Sequence, residues 1–341
     1  MFTRRNWFVG AVVCLIAAGG IAAGCGDDDN GGSKGDSGGA KRVNIAMVSW
    51  AYTDYSQGEE KGIKQVLADY DGGGSVKVFN ANFDPQAQQK QCEDAITSGR
   101  YNAIVLVPVT PPTGVPCVKA AKAAGIPVAT LEQTVTSDLS TQYELKPQVD
   151  GVVALETIPL KTQVKTSAEL VKGACADKDP CKVIYETGSA DDPYSKDILN
   201  GVKKALPQID VVATFTANYD PAGVAKAMPD LLAAHPDANL YWAAADSSGV
   251  AAIRAIKEAG MADQMKIVGN GGQQVGVDAI KAGTMYGSNG NWPRQYGAHV
   301  ASKLIQAVNG KEITNCCIDG LLVDKPLILT KDTVDQYTVE Y

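Results

Sequence analysis

From Val43 onward, short apolar runs alternate with stretches whose apolar residues recur every three to four positions. Val43-Asn-Ile-Ala-Met-Val48 has the length and content of a parallel strand buried on both faces. Ile63, Val66, Leu67 and Tyr70 then fall at i, i+3, i+4 and i+7, one face of a helix. The same patterning predicts strands at 76–80, 103–107 and 127–131, with helices at 85–98 and 115–124 between them. A second series follows: strands at 182–187, 209–215, 239–245, 266–270 and 284–289, separated by helices at 195–205, 221–234, 247–259 and 274–282. A helix at 293–309 and a short strand near 321–329 close the chain. Strict alternation of this kind predicts an α/β protein with parallel sheets flanked by helices and right-handed crossovers.

One stretch occurs twice. Phe79 to Pro85 reads FNANFDP and Phe215 to Pro221 reads FTANYDP. Each follows a β-branched run and precedes a helical pattern. In each the Asp suits a helix N-cap, and the Pro suits the first helical position, where no backbone N–H is missed. Asp-Pro helix starts are common, but here the neighbouring elements also match in order. The copies lie too far apart for a solenoid repeat. Two similar lobes are therefore expected, each offering loops from the carboxyl ends of its strands, where open α/β sheets bind ligands.

Composition changes this picture little. A chain of 341 residues, 45% hydrophobic and 20% charged, can build two ordinary domains. The net charge of −7, with no basic stripe, argues against nucleic acid. The first 24 residues read as an address: Arg4 and Arg5 precede an apolar run, Trp7 to Ala23, interrupted by glycines. A transmembrane anchor is the alternative, yet the run closes on Ile21-Ala-Ala-Gly-Cys25, which resembles the lipobox of bacterial lipoproteins. That resemblance implies an acylated Cys25 at the mature N-terminus and a chain outside the cytoplasm, lipid-anchored to the cell envelope. An acidic protein gains nothing from anionic headgroups, so the lipid itself must hold it. Residues 25–42 form a Gly/Ser/Asp tether that cannot bury enough surface to order itself.

Two motifs in the tether mislead. Gly35-Asp-Ser-Gly-Gly39 spells a serine-protease nucleophile, but the chain has only His235 and His299, both expected on surface helices. Asp27-Asp-Asp-Asn-Gly suggests a calcium loop, but its twelfth position is Gly38, not Glu. No enzyme chemistry and no cofactor are expected: Gly269-Asn-Gly-Gly-Gln-Gln also fails the phosphate-binding pattern at its last position.

The ordered set of Val43–Val48, Pro108, Ala124-Gly-Ile-Pro-Val-Ala-Thr-Leu131, Leu232-Ala-Ala-His-Pro-Asp237, Ile267-Val-Gly269 and Leu329-Thr-Lys-Asp332 resembles the sugar-type (ribose/galactose-like) substrate-binding proteins of bacterial ABC importers. The resemblance covers about residues 43–337. It implies two Rossmann-like lobes of the type I periplasmic-binding-protein fold, joined by three hinge crossings near Lys146, Asn291 and Gly320–Asp324. The lobes would then comprise 43–146 with 291–321, and 147–290 with 322–341. It further implies a monomer that captures a small molecule and passes it to an importer permease.

Carried over position by position, the family's stacking aromatics fall on Tyr55 and Tyr219 and its amide on Asn291. Its Asp-Arg pair becomes Glu132-Gln133, its second-lobe Arg becomes Lys196, its Asn becomes Ala245 and its clamping Asp becomes Gly271. An Arg–carboxylate clamp reads vicinal hydroxyls through paired bonds, so its loss implies a roomier, more aromatic cleft. Trp50, Tyr52 and Trp292 are candidates to line it, against core packing as the alternative; Trp242, within a strand, is expected in the core. Asp191, Asp192 and Asn270 lie in cleft-side loops, where acids are usually only solvated. The ligand expected is a sugar or polyol stacked on Tyr55 and Tyr219 and bonded by Asn291, Gln133 and Glu132, with an aromatic or heterocyclic metabolite as the alternative. A sensor that signals through a membrane receptor would have the same sequence features.

Of eight cysteines, Cys14 leaves with the signal and Cys25 takes the lipid. The remaining six favour disulfides in an exported protein and allow 15 pairings. Cys175 and Cys181 are the pair favoured by proximity. Cys92 and Cys117, on the second and third helices, could meet on one face of the first lobe, leaving Cys316–Cys317 as a vicinal pair. Zinc is disfavoured by the absence of C-x2-C spacing.

Overall fold

The structure, a computed structural model, describes residues 39–189 and 193–341. The expected signal segment, Cys25 and most of the tether lie outside the described residues, as do Asp191 and Asp192.

Along the chain the elements are β1 (Val43–Ser49), α1 (Asp54–Asp69), β2 (Gly74–Asn80), α2 (Pro85–Thr97), β3 (Ala103–Val107), α3 (Val115–Ala123), β4 (Val128–Thr130), β5 (Val152–Thr157) and α4 (Leu160–Ala174). There follow β6 (Cys181–Thr187), α5 (Pro193–Ala205), β7 (Ile209–Thr216), α6 (Pro221–Ala234), β8 (Leu240–Trp242), α7 (Asp246–Glu258), β9 (Lys266–Gly271) and α8 (Gln274–Ala282). Last come β10 (Gly287–Gly290), α9 (Pro293–Val308), β11 (Cys317–Asp319) and β12 (Ile328–Thr330). They build two six-stranded sheets, ordered β2-β1-β3-β4-β5-β11 and β7-β6-β8-β9-β10-β12. Pairing is parallel throughout except where β12 runs antiparallel to β10.

The unbroken apolar runs are explained by burial on both faces. In β1, Ile45 and Met47 point into one core layer while Ala46 and Val48 point into another. In β3, Val105 and Leu106 divide in the same way. The disulfide Cys92–Cys117 ties α2 to α3 across the second of these layers. Cys175–Cys181 closes the turn from α4 into β6, and Cys316–Cys317 stands at the start of β11.

Two helices meet more closely than side chains would permit. A Cβ at Gly62 of α1 would stand 1.9 Å from the Arg294 carbonyl oxygen, and one at Gly297 of α9 would stand 2.0 Å from that of Glu59. Glycine at both positions lets the backbones touch, so α9 joins the first lobe although it follows β10 of the second.

The first lobe boundary differs from expectation. The resemblance implies a crossing near Lys146, but β5 pairs with β4 in the first sheet, so the chain crosses only after Thr157. The strand Val152–Thr157 and helix α4 lie in a stretch where the apolar pattern was not assigned any element. The second crossing runs through Asn291 and Trp292, between β10 and α9, and the third between β11 and β12. Residues 322–341 do not belong wholly to the second lobe either. Glu340 accepts hydrogen bonds from the Arg294 and Gln295 amides at the start of α9, while the Tyr341 hydroxyl donates to the Gly271 carbonyl at 2.7 Å and its own carbonyl accepts from Gln274. The last residues therefore strap the two lobes together beside the hinge.

Candidate functional site

The repeated heptapeptide folds the same way twice. Asn82 and Phe83 have φ of 50° and 64°, and Asn218 and Tyr219 have 52° and 57°. Asp84 accepts from the amides of Gln86 and Ala87, and Asp220 from those of Ala222 and Gly223, capping α2 and α6. Left-handed backbone is tolerable for Asn but unfavourable for a bulky aromatic, so the contacts around each ring must offset that cost. Trp50, in the loop after β1, lies against both rings. Its ring centroid is 5.0 Å from Phe83 and 5.7 Å from Tyr219. A Cβ at Gly188 would lie 2.0 Å from the Tyr219 hydroxyl, so glycine there lets the tyrosine settle onto the second lobe.

Other contacts also join the lobes over the cleft. Gln273 Nε2 lies 3.5 Å from Asp54 Oδ2, and the Tyr143 hydroxyl donates to Asp197 on α5. The Tyr143 and Tyr194 rings meet at 5.6 Å.

Beneath Trp50 lies a group of carboxylates in the first lobe. The Trp50 indole N–H donates to Glu132 Oε2 at 3.0 Å, and the Glu132 amide donates to Glu156 Oε2 at 3.0 Å. Glu132 takes φ 64°, held there by that bond and by the Thr157 hydroxyl on its carbonyl. Glu59, on α1, is fully buried and neither of its carboxylate oxygens has a partner. Oε1 of Glu132 and of Glu156 are likewise buried and unpartnered. Burial raises all three acids, Glu132 to about 7 and Glu156 to about 8, and the charges of Glu132 and Glu156 push Glu59 up further. At the carboxyl ends of β9 and β10, the Oδ1 atoms of Asn270, Asn289 and Asn291 are also buried without partners.

The second lobe treats its buried acids differently. Glu186 accepts from the Tyr241 hydroxyl, the Ala244 amide and the Ser248 hydroxyl. Asp246 accepts from the Ser288 hydroxyl at 2.5 Å and from the Gln273 amide at 2.8 Å. Burial lifts Asp246 to about 6 against these bonds. Both hold loops together, and their hydrogen-bonding capacity is used.

The residues expected at the site are thus only partly gathered. Trp50, Glu132 and Tyr219 come together. Gln133 is half-buried beside Glu132, in a turn closed by its amide on the Leu131 carbonyl. Tyr55 is half-buried, its ring 5.5 Å from Tyr341 and 6.2 Å from Tyr296. Asn291 is at the second crossing, its carbonyl accepting from the Tyr337 hydroxyl.

Lys196 departs from expectation: it is exposed on α5, outside the buried groups, because the burial face of that helix is set by Ser195, Ile198 and Val202. Trp292 is 1% exposed and packs on Tyr337 in the hinge core rather than lining the cleft. Tyr52 faces solvent, bonded to Glu60, and Trp242 packs in the core against Tyr185. The sequence reading missed Glu59 and Glu156. Glu156 ends the apolar run Val-Val-Ala-Leu, which signals burial, whereas Glu59 stands on a helix with no such local sign.

Residues 45–312 match the family described as periplasmic binding protein domain. The chain belongs to that family. Among curated relatives, this periplasmic binding protein is 28% identical over 241 residues to the ribose import binding protein RbsB of Salmonella typhimurium, covering 69% of this chain and 75% of that one. It is 26% identical over 334 residues to the xylitol-binding protein of Mycolicibacterium smegmatis, covering 96% and 86%. Two solved structures share the fold of the periplasmic binding protein. One is an ABC transporter solute binding protein from Bacillus halodurans with bound myo-inositol (TM-score 0.73, 20% identity, 89% of this chain and 99% of that chain). The other is a Mycobacterium smegmatis solute binding protein with bound glycerol (0.70, 24%, 87% and 96%). Its two-sheet architecture is that of the type I fold.

Proposed function

We propose that this chain is an extracytoplasmic solute-binding lipoprotein that captures one sugar-like polyol between its lobes and delivers it to the permease of an ABC importer. The observation that carries this reading is the set of buried, unpartnered oxygens at the cleft ends of both sheets, under lobes already in contact through Trp50 and Tyr219. Each orphaned buried acceptor costs about 1–3 kcal/mol, so several together favour a ligand rich in hydroxyl donors. The xylitol-binding and ribose-import relatives support the same ligand class. In this reading Tyr55, Trp50 and Tyr219 stack on the ligand, while Glu132, Gln133 and Asn291 bond its hydroxyls. The chain acts as a monomer, held by an acyl group on Cys25. Among the described residues, no helix is long and apolar enough to cross a membrane.

Calorimetry of the detergent-solubilised full-length chain against xylitol, D-ribose and myo-inositol tests the reading. One should bind with a micromolar dissociation constant, about −8 kcal/mol, tight enough for capture and weak enough for release. Failure of all three, and of a wider polyol panel, sinks it. Mass spectrometry of the mature N-terminus tests the anchor separately: an unmodified Cys25 refutes it.

A further inference from the structure

The first-lobe carboxylates carry more than neutral hydroxyl recognition needs. Glu59, Glu132 and Glu156 lie near one another, on α1, in the loop after β4 and on β5: the Glu132 amide donates to Glu156, and the charges of both push Glu59 up. Together they offer four unpartnered oxygens, all buried. The titratable groups around them are Tyr55 on α1, Tyr296 on α9, Asp319 on β11, and Tyr337, Glu340 and Tyr341 in the last stretch. A basic group, Arg294 of α9, stands beyond these, its guanidinium donating to the Glu340 carbonyl rather than to the three acids. Every salt bridge among the described residues lies elsewhere, and Lys196, the basic residue expected at the site, is exposed on α5.

A second observation points the same way. Asn291 Oδ1, at the second crossing and 3% exposed, is another buried oxygen without a partner. The unpartnered atoms at this end of the cleft are thus acceptors. A hydroxyl gives one donor and itself demands an acceptor's complement, whereas an ammonium gives three donors, no acceptor and a full charge. Three buried carboxylates cannot all ionise beside one another, but a cation among them removes that penalty. The acids are not gathered as metal ligands: among the described residues no group of three or more His, Cys, Asp or Glu is placed to hold a metal ion.

We infer that the ligand is an aminopolyol, a hydroxylated carbon chain or ring bearing one protonated primary amine, with the ammonium seated among Glu59, Glu132 and Glu156. This rests on the polyol-capture reading above and narrows it. On binding, the carboxyls adjoining the amine lose their protons to solvent, and the ammonium keeps its own. Because Glu132 and Glu156 hold protons up to about 7 and 8 in the free protein, affinity for the amine must rise as pH increases from 6 to 8.

The test compares matched pairs on the full-length chain in detergent: 1-amino-1-deoxy-D-sorbitol against D-sorbitol, and the xylitol and ribitol pairs built likewise. At pH 8 the best amine should bind at least roughly tenfold tighter than its neutral partner, about 1.4 kcal/mol. The preference should shrink at pH 6, and the binding enthalpy should change with the ionisation heat of the buffer, reporting proton release. Glu59→Gln should remove most of that preference and of the proton release while neutral polyols still bind; equal losses for both would make Glu59 merely structural and overturn the assignment. A neutral member binding as tightly as its amine at both pH values overturns the inference but leaves polyol capture standing. If no member of any pair binds, both fall.

Discussion

Trp50 is bonded to an acid of its own lobe and touches an aromatic of the other. Replacing it with alanine removes the Glu132 hydrogen bond and the face that meets Tyr219. Trp50→Ala should weaken polyol binding by about 1–3 kcal/mol, roughly five- to 150-fold, with circular dichroism unchanged. An unaltered affinity would place the ligand elsewhere. The family likeness marks Tyr55, Tyr219 and Asn291 as candidates in the sequence, and the repeated loop marks Tyr219 again. Glu59 carries no such mark, since a single acid on a helix reads as solvent-facing until the opposite helix is known. What buries it is the backbone contact between Gly62 and Arg294, and no local pattern encodes that.

At the scale of elements, the repeat was the most readable feature, because its Asp-Pro helix start is local chemistry. Asp220→Ala leaves the amides of Ala222 and Gly223 without their acceptor and should cost about 1 kcal/mol in denaturant unfolding. The strand β5 and helix α4 escaped notice for the converse reason. Val152–Thr157 follows a long irregular stretch, and α4 starts at Pro159-Leu160 with no side-chain cap to announce it. The crossing was thereby placed too early. The contact between α1 and α9 offers a sharper test. Gly62→Ala drives a methyl into the Arg294 carbonyl and should destabilise the protein by about 1–3 kcal/mol, as overpacking does. A neutral result would mean that the helices can part without cost.

For the whole molecule, the buried acids set how stability varies with pH. Glu132 and Glu156 are raised from ordinary carboxylate values to about 7 and about 8. The folded chain thus holds protons that the unfolded chain has released, and stability falls as pH rises from about 4.5 to 8. The ligand-free protein should melt several degrees lower at pH 8 than at pH 5, and Glu156→Gln should flatten that slope. Surface acids such as Asp150, Asp177 and Asp237, lowered by lysine partners, act only at more acid pH and weakly. The disulfide between α2 and α3 spans a sequence separation of 25. Replacing Cys92 and Cys117 by alanine should cost roughly 3 kcal/mol, read from the unfolding midpoint under non-reducing conditions.

The indole held between the repeated loops has one more consequence. Trp242 and Trp292 are 4% and 1% exposed, the first inside the second-lobe core and the second packed on Tyr337 at the hinge. Trp50 alone among the described tryptophans bridges the lobes, so parting them strips Tyr219 from its face and admits water. The protein therefore carries its own optical gauge: emission should shift to the red when the lobes separate and return to the blue as ligand is titrated in. In Trp50→Phe most of that colour change should be lost, since Trp242 and Trp292 start out buried.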